Sequence, residues 1–204
     1  MVATWQVSFE RIETEQPAAV ALLRLCAFLA ADDIPISVLL EGARALPREL
    51  RRAAGDEVRI DRAVGALQHY ALNDRQGDSL HVHRLVQAAV RDSLPGDVSE
   101  RWLIAAVDLL GGAFPADATD PKWWPHCARL LTHAQVVLGW VGDRQVAPLA
   151  TSRLLTRVAS YLRARGEFAL ARPLLERALA IDERVLGPDD PDTATSLSNL
   201  AVIA

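Results

Sequence analysis

The chain has 204 residues, half of them hydrophobic and about a quarter charged, with a net charge of −4 and a pI near 5.7. That content is enough to bury a core, in one large domain or two small ones, and the acidic balance weighs against a general nucleic-acid binder while leaving room for a local basic face. No basic segment followed by an apolar run opens the sequence, and the most apolar stretch, AAVALLRLCAFLAA, is 14 residues long with Arg24 inside it, too short to span a bilayer; the expected setting is the cytoplasm.

In chain order, Trp5, Phe9 and Ile12 recur at helical spacing. Pro17 suits the first turn of a second helix, running to about Ala30 and interrupted by DDIP. A third helix is expected over Ile36 to Ala45. Pro47 opens a short basic segment closed by Gly55. Asp56 can cap a helix carrying Val58, Ile60, Val64 and Leu67. RQGDS then supplies turn chemistry between two short extended arms, which predicts a β-hairpin at about 70 to 82. From Leu85 the apolar residues fall at Leu85, Val86, Ala89 and Val90, the spacing of a helix, ended by PGD. Residues 1–95 thus read as several helices, a hairpin and a closing helix, the order of a winged helix.

Residues 96–145 read as a helical bridge. One amphipathic helix covers Val98 to Leu110 and stops at two glycines; another covers 125–140. Trp123, Trp124 and Trp140 cluster in this region, read as fillers of a junction between packing units ahead of the alternative, an exposed aromatic binding patch. Cys26 and Cys127 each lie in an apolar helical pattern and read as reduced, buried thiols.

Residues 146–204 repeat themselves. TSRLLTRVAS and TATSLSNLAV superimpose at a shift of 42 residues, matching Thr151 to Thr193, Leu155 to Leu197, Val158 to Leu200 and Ala159 to Ala201. Leu155, Ala159, Leu162, Gly166, Phe168, Ala171, Leu175 and Ala178 have the spacing of a tetratricopeptide repeat, and the long second helix resembles the repeats of kinesin light chains. Only one repeat is complete, whereas about three are needed to bury a continuous core. The sequence is therefore expected to be a fragment or a truncated reading frame, its last helix fraying or packing on a neighbouring molecule. The fold class is mainly α, a winged-helix domain with one small hairpin leading through a bridge into the start of an α-solenoid.

The stretches VSFERI, LLRLCAFLAADDIPISVLLEGA, ALQHYAL and LHVHRLVQAAVRD resemble the winged-helix region of STAND-class (NB-ARC) signalling NTPases, and WWPHCARLLTHA resembles the bridge before the repeats of their bacterial members. In that family a Met-His-Asp motif sits where the hairpin meets the closing helix, and its histidine reaches the β-phosphate of ADP held by a neighbouring P-loop domain. Here the motif reads Val82-His83-Arg84. The resemblance implies a nucleotide-sensing role for His83 in a full-length protein; Arg84 stands where the family carries an aspartate. A histidine at a helix start also has a purely structural reading, as a cap.

The P-loop itself needs G-x-x-x-x-G-K-[ST], and the one lysine, Lys122, is followed by Trp123 and not preceded by glycines. The chain alone is thus expected to be no enzyme and to hold no cofactor, ADP or ATP belonging to a complete parent protein. Expected partners are a protein received by the repeat helices and the parent's P-loop domain, with no membrane role. No catalytic or metal set completes itself: His126 and Cys127 point about 100° apart on a helix, and no thiolate or carboxylate at ligand spacing joins His81, His83 and His69. The alternative function is a winged-helix DNA-binding regulator with a repeat tail, contacting DNA through Arg48, Arg51 and Arg52 in a stripe begun by Arg44.

Overall fold

The computed structural model describes residues 12–142 and 144–202. The chain divides into two compact units, the break falling after Leu109. Trp5 and Phe9, the first two positions of the expected opening helix, lie outside the described residues.

In the first unit the elements are α1 (Pro17–Cys26), β1 (Ile34–Pro35), α2 (Ile36–Glu41), a 3-10 turn (Ala43–Ala45), α3 (Arg48–Ala54), α4 (Glu57–His69), β2 (Asp74–Gln76), β3 (Ser79–His81), α5 (Arg84–Ser93) and α6 (Gly96–Ala113), which runs on across the break. α1 is the centre of the core. Seven of its ten residues are buried, and it packs against α3, α4 and α5. Each large apolar side chain so buried contributes about 1.5–3 kcal/mol. Asp56 caps α4 as expected, accepting from the backbone N–H groups of Val58 and Arg59. Val58 itself is 67 % exposed and takes no part in the core. Gly55 ends α3 at φ −84°, an ordinary right-handed turn and not the left-handed glycine cap that the sequence suggested.

Three expectations are corrected. α1 stops at Cys26, because Phe28 and Leu29 donate to the carbonyls three residues back and tighten the chain into a turn. The third helix is α2 plus a 3-10 turn, broken at Gly42. A side chain there would collide with Leu109, whose Cδ1 lies 2.3 Å from the Cβ position, so the residue is small because α6 passes close by. Finally, the two glycines do not end α6, which continues through Gly111 and Gly112 to Ala113.

The hairpin is present and is joined by a third strand. The sheet order is β1-β3-β2, antiparallel throughout, with Ile34 opposite Leu80 and Asp74 opposite His81. Gly77 takes a φ of +60° at the turn. Asp78 fastens the hairpin to α2. Its carboxylate accepts from the Ser37 N–H at 2.9 Å and from the Ser37 hydroxyl at 2.8 Å, which caps α2 from 41 residues away in sequence.

In the second unit, α7 (Trp124–Val141), α8 (Pro148–Ala164), α9 (Phe168–Val185) and α10 (Pro191–Ala201) pack in sequence, each on the next. α8 and α9 form the helical pair of the complete repeat. Leu155, Ala159, Leu162, Ala171, Leu175 and Ala178 are all buried, and Gly166 makes the turn between the helices at φ +78°. Phe168 departs from the expected pattern and is 52 % exposed. α10 is capped by Asp190 and buries Thr193 and Ser196; the Ser196 hydroxyl donates to buried Asp182 at 2.6 Å. Leu197 is 56 % exposed where its counterpart Leu155 is fully covered, since α10 meets a neighbouring helix on α9's side. No helix among the described residues is long and apolar enough to cross a membrane.

Trp123 is 42 % exposed, and Trp124 and Trp140 are half-buried, so they are not the buried fillers that the sequence suggested. Among the described residues Trp102, on α6, is the fully buried tryptophan. Both cysteines are free and buried. Burial pushes the Cys26 thiol up to about 12 and raises that of Cys127. At pH 8 neither is expected to react with a thiol reagent in the native protein, because the thiolate is the reactive form. Both should label once denaturant unfolds the chain, and rapid native labelling would contradict the packing.

Candidate functional site

His83 occupies the junction the sequence marked, and the reason lies in strand alternation. Leu80 and Val82 are 1 % exposed and face the core, so His81 and His83 face the other way. The Val82 N–H donates to the Ala31 carbonyl at 2.8 Å, which prolongs the β3 edge by one rung and fixes the approach to α5. His83 is then the N-cap of α5, and its ring Nδ1 accepts from the Leu85 N–H at 3.2 Å. A ring whose Nδ1 accepts carries its proton on Nε2. The cap therefore leaves one N–H donor, Nε2–H, directed away from the helix backbone.

That ring borders a cavity of about 450 Å³, lined by Ala31, Asp32, Ala71, Leu72, Asn73, Asp74, His81, Val82, His83 and Arg84. Among the residues lining it, His83 carries the Nε2–H donor and Arg84 a guanidinium that makes no hydrogen bond or ion pair among the described residues, and both stand at the start of α5, where the helix dipole favours an anion. Across the rim stand two carboxylates. Asp32 lies 3.5 Å from His81 Nδ1, and Asp74 lies opposite His81 in the sheet. The arrangement can hold an oxyanion at the α5 end. It shows no nucleophile paired with a base.

Sequence reasoning missed Asn73. It is 5 % exposed and lines the cavity, and neither its amide nitrogen nor its oxygen finds a hydrogen-bond partner. Such groups are rare in folded proteins. Ala71, two residues before it, takes a φ of +53°, a strained value for a residue with a Cβ. Nothing in NDRQGD distinguishes this asparagine from an ordinary turn residue.

The other candidates are placed elsewhere. Arg48, Arg51 and Arg52 are exposed on α3, at spacings that put them on one face. Arg44 lies outside that helix, in the 3-10 turn. Arg51 Nε donates to the Leu46 carbonyl at 3.0 Å, and Glu49 between them pairs with Arg101 at 3.1 Å. His126 bonds the Ala113 carbonyl at 3.0 Å, while its neighbour Cys127 is buried. His69 stacks edge-on against Tyr70. Among the described residues no group of three His, Cys, Asp or Glu could hold a metal ion.

Residues 150–204 match the tetratricopeptide repeat family, and residues 10–98 match a domain of unknown function (DUF7779). The chain is also similar, at 28 % identity over 208 aligned positions, to a nucleotide-binding leucine-rich repeat (NLR)-like protein of Hyaloscypha variabilis; the alignment covers 97 % of this chain and 19 % of that protein. The chain thus spans about a fifth of that relative's length. No solved structure matches it.

Proposed function

We propose that the chain is the regulatory and protein-interaction portion of a nucleotide-dependent signalling protein of the STAND class. In this reading the first unit is a winged-helix domain that closes over a nucleotide held by a P-loop domain of a longer parent. The repeat helices receive a protein partner, the chain itself performs no catalysis, and the setting is the cytoplasm. The similarity to a nucleotide-binding, NLR-like protein over nearly the whole chain supports the class, and the repeat match supports the interaction role.

The observation that carries the reading is the His83 ring, held by its Nδ1 bond to Leu85 so that Nε2–H is available at the cavity rim. A neutral imidazole fixed in this way donates one directed hydrogen bond to a phosphate oxygen. Arg84 adds a guanidinium where the family has a carboxylate, a change of two charge units at the same rim. That favours a diphosphate more than the family's own residue does, and the role of the third motif position moves from local anchoring to direct charge pairing. In the complete parent, His83 and Arg84 orient and neutralise ADP, and loss of that contact releases the winged helix. The test is the nucleotide content of the purified full-length parent: close to one ADP per chain in the wild type, and depletion in the His83→Leu variant. A wild-type parent that purifies free of nucleotide would sink the proposal.

The spacing of Arg48, Arg51 and Arg52 on one exposed face favours a second reading, duplex DNA binding through α3. It predicts binding that weakens steeply with salt and loses about three units of log–log slope on removal of the three charges. The first reading predicts no binding at 50 mM salt beyond that of an unrelated acidic protein.

A further inference from the structure

The second unit contains a cavity of about 390 Å³ where α8, the end of α9 and α10 come together. Arg153, Arg157, Asp182, Leu186, Asp192 and Ser196 are among the residues that line it.

Asp182 is the unusual group. It is 5 % exposed, and a carboxylate so buried is ordinarily paired with a cation. Here its Oδ2 accepts from the Ser196 hydroxyl at 2.6 Å. Its Oδ1 accepts from no group among the described residues, and none of their arginines, lysines or histidines forms an ion pair with it. The hydroxyl fastens α9 to α10 but brings no positive charge.

The surroundings favour a cation as well. Asp182 is in the last turn of α9, at the negative end of that helix, and Leu186, the C-cap, also lines the cavity. The positive end of α10 is offset by its Asp190 cap and by Asp192 in its first turn. The Asp192 side chain makes no hydrogen bond or ion pair among the described residues. Asp182, Glu183, Asp189, Asp190 and Asp192 stand against Arg184 alone over residues 182–192. That excess equals the net charge of the whole chain, −4.

The two arginines of the α8 wall do not supply the missing charge. Arg157 donates to the carbonyls of Gly111 and Phe114, and Arg153 is exposed. Neither forms an ion pair among the described residues.

We propose that this cavity receives an arginine side chain of a protein partner, its guanidinium donating to Asp182. The assignment rests on the reading that the repeat helices take a protein partner, and it names the chemistry they recognise. Guanidinium is more weakly hydrated than ammonium and carries several donors in one plane. It can therefore meet the spare oxygen of a buried carboxylate at a smaller cost in hydration, and Asp192 adds attraction at the same cavity. The volume is about thirteen times the ~30 Å³ of one water, room for a long side chain but not for a folded element.

The test is an NMR titration of the 204-residue chain with capped pentapeptides, four glycines around a central arginine, glutamate or norleucine. The arginine peptide should bind saturably and shift the backbone amide signals of Asp182, Leu186 and Ser196, and the other two should not. Asp182→Asn keeps an acceptor for the Ser196 hydroxyl and removes the charge, so it should weaken binding about tenfold or more, the loss of a charge-assisted contact. Asp192→Asn, at an exposed position, should weaken it about threefold, and it decides the matter if Asp182→Asn fails to fold. Unchanged affinity in these variants, or no saturable binding of the arginine peptide, would overturn the assignment. Preference for the glutamate peptide would overturn it too, while leaving the repeats as a receiver of protein. Failure of the wider reading shows elsewhere, in a parent that purifies without nucleotide.

Discussion

Replacing Gln87 with leucine is expected to destabilise the first unit by about 2–4 kcal/mol, although the new side chain is apolar, similar in size and enters a buried position. Gln87 is 4 % exposed. Its amide donates to the carbonyls of Cys26 at 2.7 Å and Leu29 at 3.2 Å, the end of α1 and the turn after it. Arg91, one turn further along α5, donates to the Ala27 carbonyl. Helix α1 ends in the core, where its last carbonyls have no intrahelical donors, and α5 supplies them. Leucine would leave the buried Leu29 carbonyl without its side-chain donor, at about 1–3 kcal/mol, and would leave the Cys26 carbonyl with the Leu29 N–H alone, at about 0.5–1.5 kcal/mol more. For a unit of about 100 residues the melting transition should fall by roughly 10 °C or more. Gln87→Glu separates hydrogen bonding from packing. It keeps the volume but turns an acceptor toward two carbonyls, so it should be at least as damaging as leucine. A mild Gln87→Glu variant would show that volume, not the amide, matters at this position.

The same residue shows where the sequence was legible and where it was not. Helices, caps and the repeat are local, and local spacing carried them. Asp56 before an apolar run, Gly166 between two small-residue helices, and His83 where alternation gives way to helical spacing are each visible within a few residues. Gln87 and its acceptors are 58 and 61 residues apart, and a glutamine on an amphipathic helix looks like any solvated residue until the helix is docked. β1 is two residues long, one of them Pro35, and shows no alternation. It exists because β3 offers an edge and Asp78 holds α2 against the hairpin. The expected stop at Gly111 and Gly112 failed because glycine's propensity cost of about 1 kcal/mol per residue is readily outweighed by tertiary context. The α3 stripe was visible as composition, yet Arg44 falls outside the helix and Glu49 is drawn to Arg101. Of the candidate site, His83 was legible because its strand–helix junction is local. Asn73 and the Asp182 cavity were not, because their meaning depends on which elements surround them.

Gln87 also ties the core to the site. The amide that caps α1 sits one turn along from the His83 cap on the same helix, so the direction of α5, and with it the imidazole, is set from inside the core. A Gln87 variant that still folds should therefore also loosen whatever His83 holds.

The measurement that bears most directly on the central claim is the dissociation rate of a fluorescent ADP analogue from the full-length parent, compared between wild type and His83→Leu. Leucine removes the Nε2–H donor and the cap together, so His83→Asn, which keeps a capping oxygen, separates the two roles. A hydrogen bond to a charged oxygen contributes about 1.5–3 kcal/mol, so His83→Leu should release ADP roughly 10- to 100-fold faster. His83→Asn should restore the stability of α5 while leaving release fast. An ADP dissociation rate in His83→Leu equal to that of the wild type would contradict the account and leave His83 as a helix cap alone.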